Sequence, residues 1–283
     1  MEFIIIFFQV ERASETLPFL TIKDFVKIKT QNRFIMGQVY SISDDYFTCE
    51  SDDCKMMVNG MYKTQFLINR LSFKMEKYAT EMTKCLNINN IFFPNSSAIT
   101  FPKPKTVLKW RNNDIKSNPE QMQAVQNIVD GTANPYPFII FGPPGTGKTK
   151  TLVEAICQIH KTIPNSRILV CAQSNAACDE IALRLLSYID NSNLSHNIYR
   201  LLAANSKREI TDEELLSISN YEISHLPALE ILKKFRIVIS TLFTAGRLAQ
   251  ARIDKSHFTH VFIDECGSAT ETAALIPIAC NNH

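Results

Sequence analysis

A chain of 283 residues, 45% hydrophobic and 20% charged, has length for about two domains and apolar content for a core in each. Thirty Lys and Arg against 28 Asp and Glu leave a net charge of +2, which excludes nucleic-acid binding through a large basic field alone. Only eight glycines occur, so collagen-like and low-complexity classes are excluded and any glycine cluster marks a local backbone requirement.

The first apolar run, Phe3 to Phe8, falls far short of the ~18–20 residues of a membrane-spanning helix. Glu2 stands where a signal peptide carries a basic leader, so the run reads as a buried strand and no membrane partner is expected. Short alternating segments follow at Leu20 to Lys29, Phe34 to Ile42, Tyr46 to Glu50 and Lys63 to Ile68. Gly37, Asp44-Asp45, the acidic stretch Glu50 to Asp53 and Asn59-Gly60 separate or interrupt them as turns. This pattern predicts a small antiparallel β-barrel or sandwich. Lys23, Lys27, Lys29 and Arg33 form a modest basic stretch; a solvated face is the simpler account, RNA contact the alternative. Helical spacing over Leu71 to Cys85 suggests a stalk, and Pro94, Pro102 and Pro104 then break the chain. Eight cysteines, none at C-x-x-C spacing, read as reduced thiols of a cytosolic or nuclear protein.

Composition shifts near residue 105, which divides the chain into a barrel with its stalk (1–105) and an α/β domain (106–283). Trp110 reads as a stalk packing anchor. Asn118 as cap and Pro119 at the first helical position open a helix to Val129. Phe138 to Phe141 reads as a strand and Lys148 to His160 as a helix. Arg167 to Cys171 is the next strand, followed by a helix over Ala176 to Tyr188. Asn197 to Leu201, Arg236 to Ser240 and His260 to Asp264 are further buried strands. Strands alternating with helices predict a parallel, doubly wound sheet.

Gly142-Pro143-Pro144-Gly145-Thr146-Gly147-Lys148-Thr149 matches G-x-x-x-x-G-K-[ST]. Such a loop brings backbone N–H groups around phosphate oxygens, which side chains would obstruct, and aims a helix N-terminus at the anion. Lys148 would neutralise the β and γ phosphates of ATP, and the Thr149 hydroxyl would ligate Mg²⁺. The alternative is a glycine turn with a solvated lysine; a chance match is expected on the order of once in a hundred such chains. Val261-Phe262-Ile263-Asp264-Glu265 supplies an apolar strand that delivers two carboxylates to the carboxyl edge of the sheet. Asp264 would hold the metal, and Glu265 would orient and deprotonate the attacking water. Together these motifs describe a nucleoside triphosphatase domain. His257 and His260 read as ordinary histidines rather than metal ligands.

The phosphate loop, Asp264-Glu265 and Val170-Cys171-Ala172-Gln173-Ser174-Asn175-Ala176-Ala177 together resemble superfamily 1 helicases. Asn118-Pro119-Glu120-Gln121-x-x-Ala124-Val125 resembles the adenine-reading motif of the branch that contains the nonsense-decay RNA helicase. Pro135-Tyr136-Pro137-Phe138, Gly60-Met61-Tyr62 and Asn69-Arg70-Leu71 are similar to the Armitage and Moloney-virus-ten type. The resemblance implies a RecA-like domain preceded by a barrel on a helical stalk. Gln121 would hydrogen-bond the adenine edge, for which an amide offers donor and acceptor together. Ser174, Asn175 and Thr241 would hold the backbone of single-stranded RNA, with helix capping as their plainer role. Cys266 stands where relatives often carry a small residue, and Cys178 lies within the strand-binding segment.

The resemblance further implies an ATP-dependent, 5′-to-3′ RNA helicase acting in small-RNA gene silencing, with Argonaute-class partners, in the cytoplasm and its ribonucleoprotein granules. The alternatives are an ATP- and RNA-binding module without unwinding, and a DNA helicase of the same superfamily. After Ala269-Thr270-Glu271 the chain passes Pro277 to His283 without the family's Gly-Asp…Gln segment or its second RecA-like domain. The arginine finger of that domain is worth roughly 10³ to 10⁵ in rate, so weak ATP binding with little turnover is expected of this chain alone.

Overall fold

The computed structural model describes residues 4–10, 12, 17, 20, 22, 24–31, 33–51, 60–67, 70–85, 106–189, 197–203, 210–223, 226–251, 253–254 and 256–280. Lys23, Cys54, Asn59, Asn69, Pro94, Pro102, Pro104 and His283 lie outside them. The chain divides into two compact units, Met1–Phe73 and Lys74–His283.

The first unit is a five-stranded antiparallel sheet of β1 (Ile4–Gln9), β2 (Phe25–Lys29), β3 (Phe34–Ile42), β4 (Tyr46–Ser51) and β5 (Lys63–Leu67), in the order β1-β4-β3-β2-β5. Alternation along β2 and β3 turns Val26, Ile28, Ile35 and Val39 inward with Phe47 and Cys49. Ile28 stands opposite Ile35, and Phe8 stacks on Phe47 with centroids 4.9 Å apart. Lys27 and Lys29 do share the outward face, where the Lys27 ammonium lies 4.1 Å from the centre of the Phe34 ring. The Asp44-Asp45 turn forms as expected, with the Ser43 N–H donating to the Tyr46 carbonyl. Gly37 is no turn: it lies inside β3, where a Cβ would come within 3.3 Å of the Cys49 Cβ. The run at the start of the chain is a strand but not a buried one. β1 pairs with β4 alone, and Phe7 on it is 69% exposed.

The second unit contains most of α1 (Leu71–Cys85), then α2 (Asn113–Lys116), α3 (Pro119–Val129) and α4 (Lys148–Thr162). Next come β6 (Ile168–Ala172), α5 (Asn175–Tyr188), β7 (Ile198–Leu201), α6 (Glu213–Ser217) and α7 (Leu229–Leu232). It ends with β8 (Ile237–Thr241), α8 (Leu242–Gln250), β9 (His260–Ile263) and α9 (Glu271–Ala279). The sheet is parallel in the order β7-β8-β6-β9, which bears out the α/β expectation. Every residue of β6 is buried because helices cover both faces. Ile168 and Val170 face Ile156, Ile159, Ile181 and Leu185, whereas Leu169 and Cys171 face Ala245, Leu248 and Ala273.

Met75 and Ala79 of α1 pack on Ile276 and Ala279 of α9. Gly246 of α8 permits this, since a Cβ there would meet the Met75 sulfur at 2.9 Å. Trp110 packs against the core around the parallel sheet rather than against a stalk.

Phe138 to Phe141 departs from expectation, forming no strand. Ile140 packs against the core, but Ile139 and Phe141 are 77% and 94% exposed. An apolar run becomes a strand only when a neighbour takes its backbone hydrogen bonds, and no described strand pairs with this one. β9, likewise, is paired on one side only, with β6.

Candidate functional site

The phosphate loop and the acidic strand end meet. Thr149, in the first turn of α4, donates its hydroxyl hydrogen to Asp264 Oδ2 at 2.9 Å, across 115 residues of sequence. Asp264 is buried just beyond β9, and its N–H donates to the Cys171 carbonyl, so β6 holds the strand end in place. A hydroxyl and a carboxylate at this distance are hard oxygen donors of the kind Mg²⁺ takes. Among the described residues no cluster of three or more His, Cys, Asp or Glu could hold a metal.

The loop has the backbone that its glycines allow. Gly145 and Gly147 sit at φ +80 and +83, where side chains are rarely tolerated. A Cβ on Gly147 would also come within 2.9 Å of Gln121 Nε2. Lys148 Nζ donates to the carbonyls of Gly142 and Pro143 at 3.0 and 3.1 Å, folding the ammonium over the loop. The Thr146 hydroxyl donates to the Pro143 carbonyl, closing the turn, while Pro144 stays exposed. Gln121 reaches the loop: its Nε2 donates to the Thr146 carbonyl at 2.9 Å, while Asn118 caps α3 beneath it. The adenine-reading candidate and the phosphate loop therefore share one site.

Glu265 is exposed and lies at φ +53, left-handed for a non-glycine residue. Strain of this kind concentrates at functional positions. The Ser268 N–H and hydroxyl both donate to its carbonyl, fixing the turn. Cys266, next in sequence, is exposed, and desolvation raises its thiol pKa above the ordinary value.

Two further loops leave the same edge of the sheet. Ala172 ends β6 directly beside Thr241 at the end of β8, so Ser174 and Asn175 emerge next to Thr241. Ser174 caps α5 by accepting from the Ala177 N–H, and Thr241 caps α8 by accepting from the Thr244 N–H. Both capping roles are real, and Ser174 and Asn175 are exposed as well.

Three supporting groups were not visible as such in the sequence. Arg200 of β7 is fully buried and pairs with Asp179 of α5 at 2.9 Å. Buried Glu154 of α4 accepts from the N–H groups of Arg111 and Asn112, tying the chain ahead of α2 to the helix that carries the phosphate loop. Lys150 donates to Asp114 at 2.7 Å, and this contact lowers the carboxyl pKa. The only available sign was an arginine within an otherwise apolar strand, since unpaired charges are almost never fully buried.

A phosphate-loop sequence at the head of a helix, facing an acidic strand end on a covered parallel sheet, defines a RecA-like α/β domain. The family model for the AAA domain matches residues 116–229 and 224–283. The "Putative helicase mov-10-B.1" of Danio rerio is 38% identical over 225 residues, 78% of this chain and 22% of that protein. The human "RNA helicase Mov10l1" is 40% identical over 161 residues, 57% of this chain and 13% of that protein. The "Probable RNA helicase armi" of Drosophila melanogaster is 28% identical over 312 aligned residues, 95% of this chain and 26% of that protein. The chain belongs to the AAA-domain family of superfamily 1 helicases, in the nonsense-decay-helicase-like branch. It spans about a quarter or less of the length of these relatives.

Proposed function

We propose that this chain is the ATP-binding part of an RNA helicase motor. The observation that carries the reading is the Thr149–Asp264 contact, which joins the phosphate loop to the acidic strand. ATP would lie with its phosphates against Gly142, Pro143, Pro144, Gly145, Thr146 and Gly147, and with its adenine against Gln121. The Lys148 ammonium, now held by two loop carbonyls, would exchange them for the β and γ phosphates. Thr149 and Asp264 would hold Mg²⁺, which when bound would neutralise charge on those phosphates. Glu265, exposed and next to Asp264 in sequence, would orient the attacking water and take its proton.

Single-stranded RNA would run over Ser174, Asn175 and Thr241 at the neighbouring strand ends. Hydroxyl and amide groups there suit a sugar-phosphate backbone and read no base. Two of the relatives are named as RNA helicases, which supports RNA as the track. On the same reading the whole protein moves 5′-to-3′ and serves small-RNA silencing with Argonaute-class partners in cytoplasmic granules.

Titration of the chain with a fluorescent ATP analogue, with and without Mg²⁺, tests the core of this reading. Mg²⁺-dependent binding that is lost in both Lys148→Ala and Asp264→Asn is the expected result. Equal binding by all three proteins would overturn it.

A further inference from the structure

We propose that Arg200 is a positioning residue for the strand contact at Asn175: it turns the Asn175 amide so that its NH₂ group, and not its oxygen, points out of the loop. The inference rests on the reading of Ser174 and Asn175 as contacts to an RNA backbone, and gives that site its chemical polarity.

Arg200 is the largest fully buried side chain of the described residues. It lies on β7, and its guanidinium spreads over the first turn of α5. Nε donates to Asp179 Oδ1 at 2.9 Å, and Nη1 to the Leu201 carbonyl at 2.9 Å. Nη2 donates to Asn175 Oδ1 at 2.9 Å, with the Asn175 carbonyl at 3.5 Å. Asn175 and Asp179 are four residues apart on one helix face, so a single planar fork bridges both.

The consequence for Asn175 follows from the inventory of donors. A guanidinium has five N–H donors and no acceptor. Only the amide oxygen can face it, so Nδ2 with its two hydrogens is left at the other end of an exposed side chain. The Ser174 oxygen accepts from the Ala177 N–H, which leaves its own hydrogen to point elsewhere. The edge therefore presents donors: one hydroxyl, one amide NH₂ and the first N–H groups of α5. A phosphodiester oxygen accepts and never donates, so this polarity fits it. An amide free to turn over would present its oxygen to phosphate part of the time and repel it. Stability alone does not require the arginine, because buried ion pairs are often replaced by apolar residues of similar volume without loss.

The experiment is a double-mutant cycle read by fluorescence anisotropy on a single-stranded oligouridylate, with the fluorescent ATP analogue as control. Arg200→Met/Asp179→Leu removes the pair without leaving either charge buried alone. Loss of one charge-assisted hydrogen bond predicts about tenfold weaker RNA binding in that variant, with nucleotide affinity within about twofold of wild type. Asn175→Ala should weaken RNA binding about tenfold in the wild-type background and less than about threefold in the variant. Equal weakening by Asn175→Ala in both backgrounds would overturn the positioning role while leaving the RNA contact standing. No effect of Asn175→Ala in wild type would instead remove the RNA contact and the proposal with it. Should the double variant not fold, Arg200→Lys keeps a charge for Asp179, but one ammonium cannot span both partners. Wild-type RNA affinity in Arg200→Lys would also overturn the inference.

Discussion

β3 in the first unit buries Ile35, Gly37 and Val39 and turns Phe34, Met36 and Tyr40 to solvent, whereas β6 in the second unit buries all five of its residues. The antiparallel sheet has one wet face, and its strands carry solvated side chains along their length. The parallel sheet is covered on both faces, so its strands are core and only their ends reach solvent. The candidate residues at and around the sheet follow that division. Asp264 follows β9, Ser174 and Asn175 follow β6, Thr241 ends β8, and the phosphate loop heads α4. The comparison separates positions that hold the fold from positions that are available for chemistry.

The sharpest way to break the contrast is from beneath the parallel sheet. Asp179→Ala leaves Arg200 as an uncompensated buried charge and should destabilise the second unit by about 3–5 kcal/mol, read as a lower urea midpoint. A shift no larger than that of a surface substitution would show that the pair is not buried in solution. Next is a matched pair of truncations. Ile239→Ala, at a fully buried position of β8, should cost about 2–5 kcal/mol. Met36→Ala, on the wet face of β3, should stay within about 0.5 kcal/mol. Comparable costs at the two sites would erase the distinction between the sheets.

Lys148→Ala tests the other half of the contrast, because a residue at the head of α4 should matter to ligand and not to fold. Nucleotide affinity should fall roughly tenfold to hundredfold, since hydrogen bonds to charged groups are worth about 1.5–3 kcal/mol each. The urea midpoint should not move.

The smallest effect is in acid titration. Burial lowers the pKa of His160 in α4 and of His257 ahead of β9, each with help from a nearby arginine. The unfolded chain takes up these protons at pH about 6.5, before the folded chain does. Stability should therefore be level above that pH and decline as pH falls through it. His160→Gln should flatten the decline, and an unchanged slope would show that His160 is not desolvated.

Local patterns made much of this legible. Leu71–Cys85 and Pro119–Val129 form as the helices their spacing and capping describe, and the parallel strands fall within a residue of expectation. The phosphate loop was legible because its requirement is local: eight consecutive residues specify its glycines, lysine and threonine. Phe138 to Phe141 misled because hydropathy reports burial but not whether a neighbour is there to pair. Phe3 to Phe8 misled for a related reason, since an edge strand keeps an apolar composition while exposing Phe7. Arg200 was visible as a charge in a strand, but its partner Asp179 lies 21 residues away on another element.

What the sequence determined by itself is what acts within a few residues: alternation, helix spacing, the caps at Asn118, Ser174 and Thr241, and the glycine backbone of the phosphate loop. Such interactions close short loops, and their free energy depends little on the rest of the chain. The tertiary structure decided what joins distant segments: Thr149 to Asp264, Arg200 to Asp179 and Asn175, Glu154 to Arg111 and Asn112, and Gln121 to the phosphate loop. Each of those contacts exists only once the parallel sheet and its helices have packed, because packing sets which polar groups lose water and must find one another.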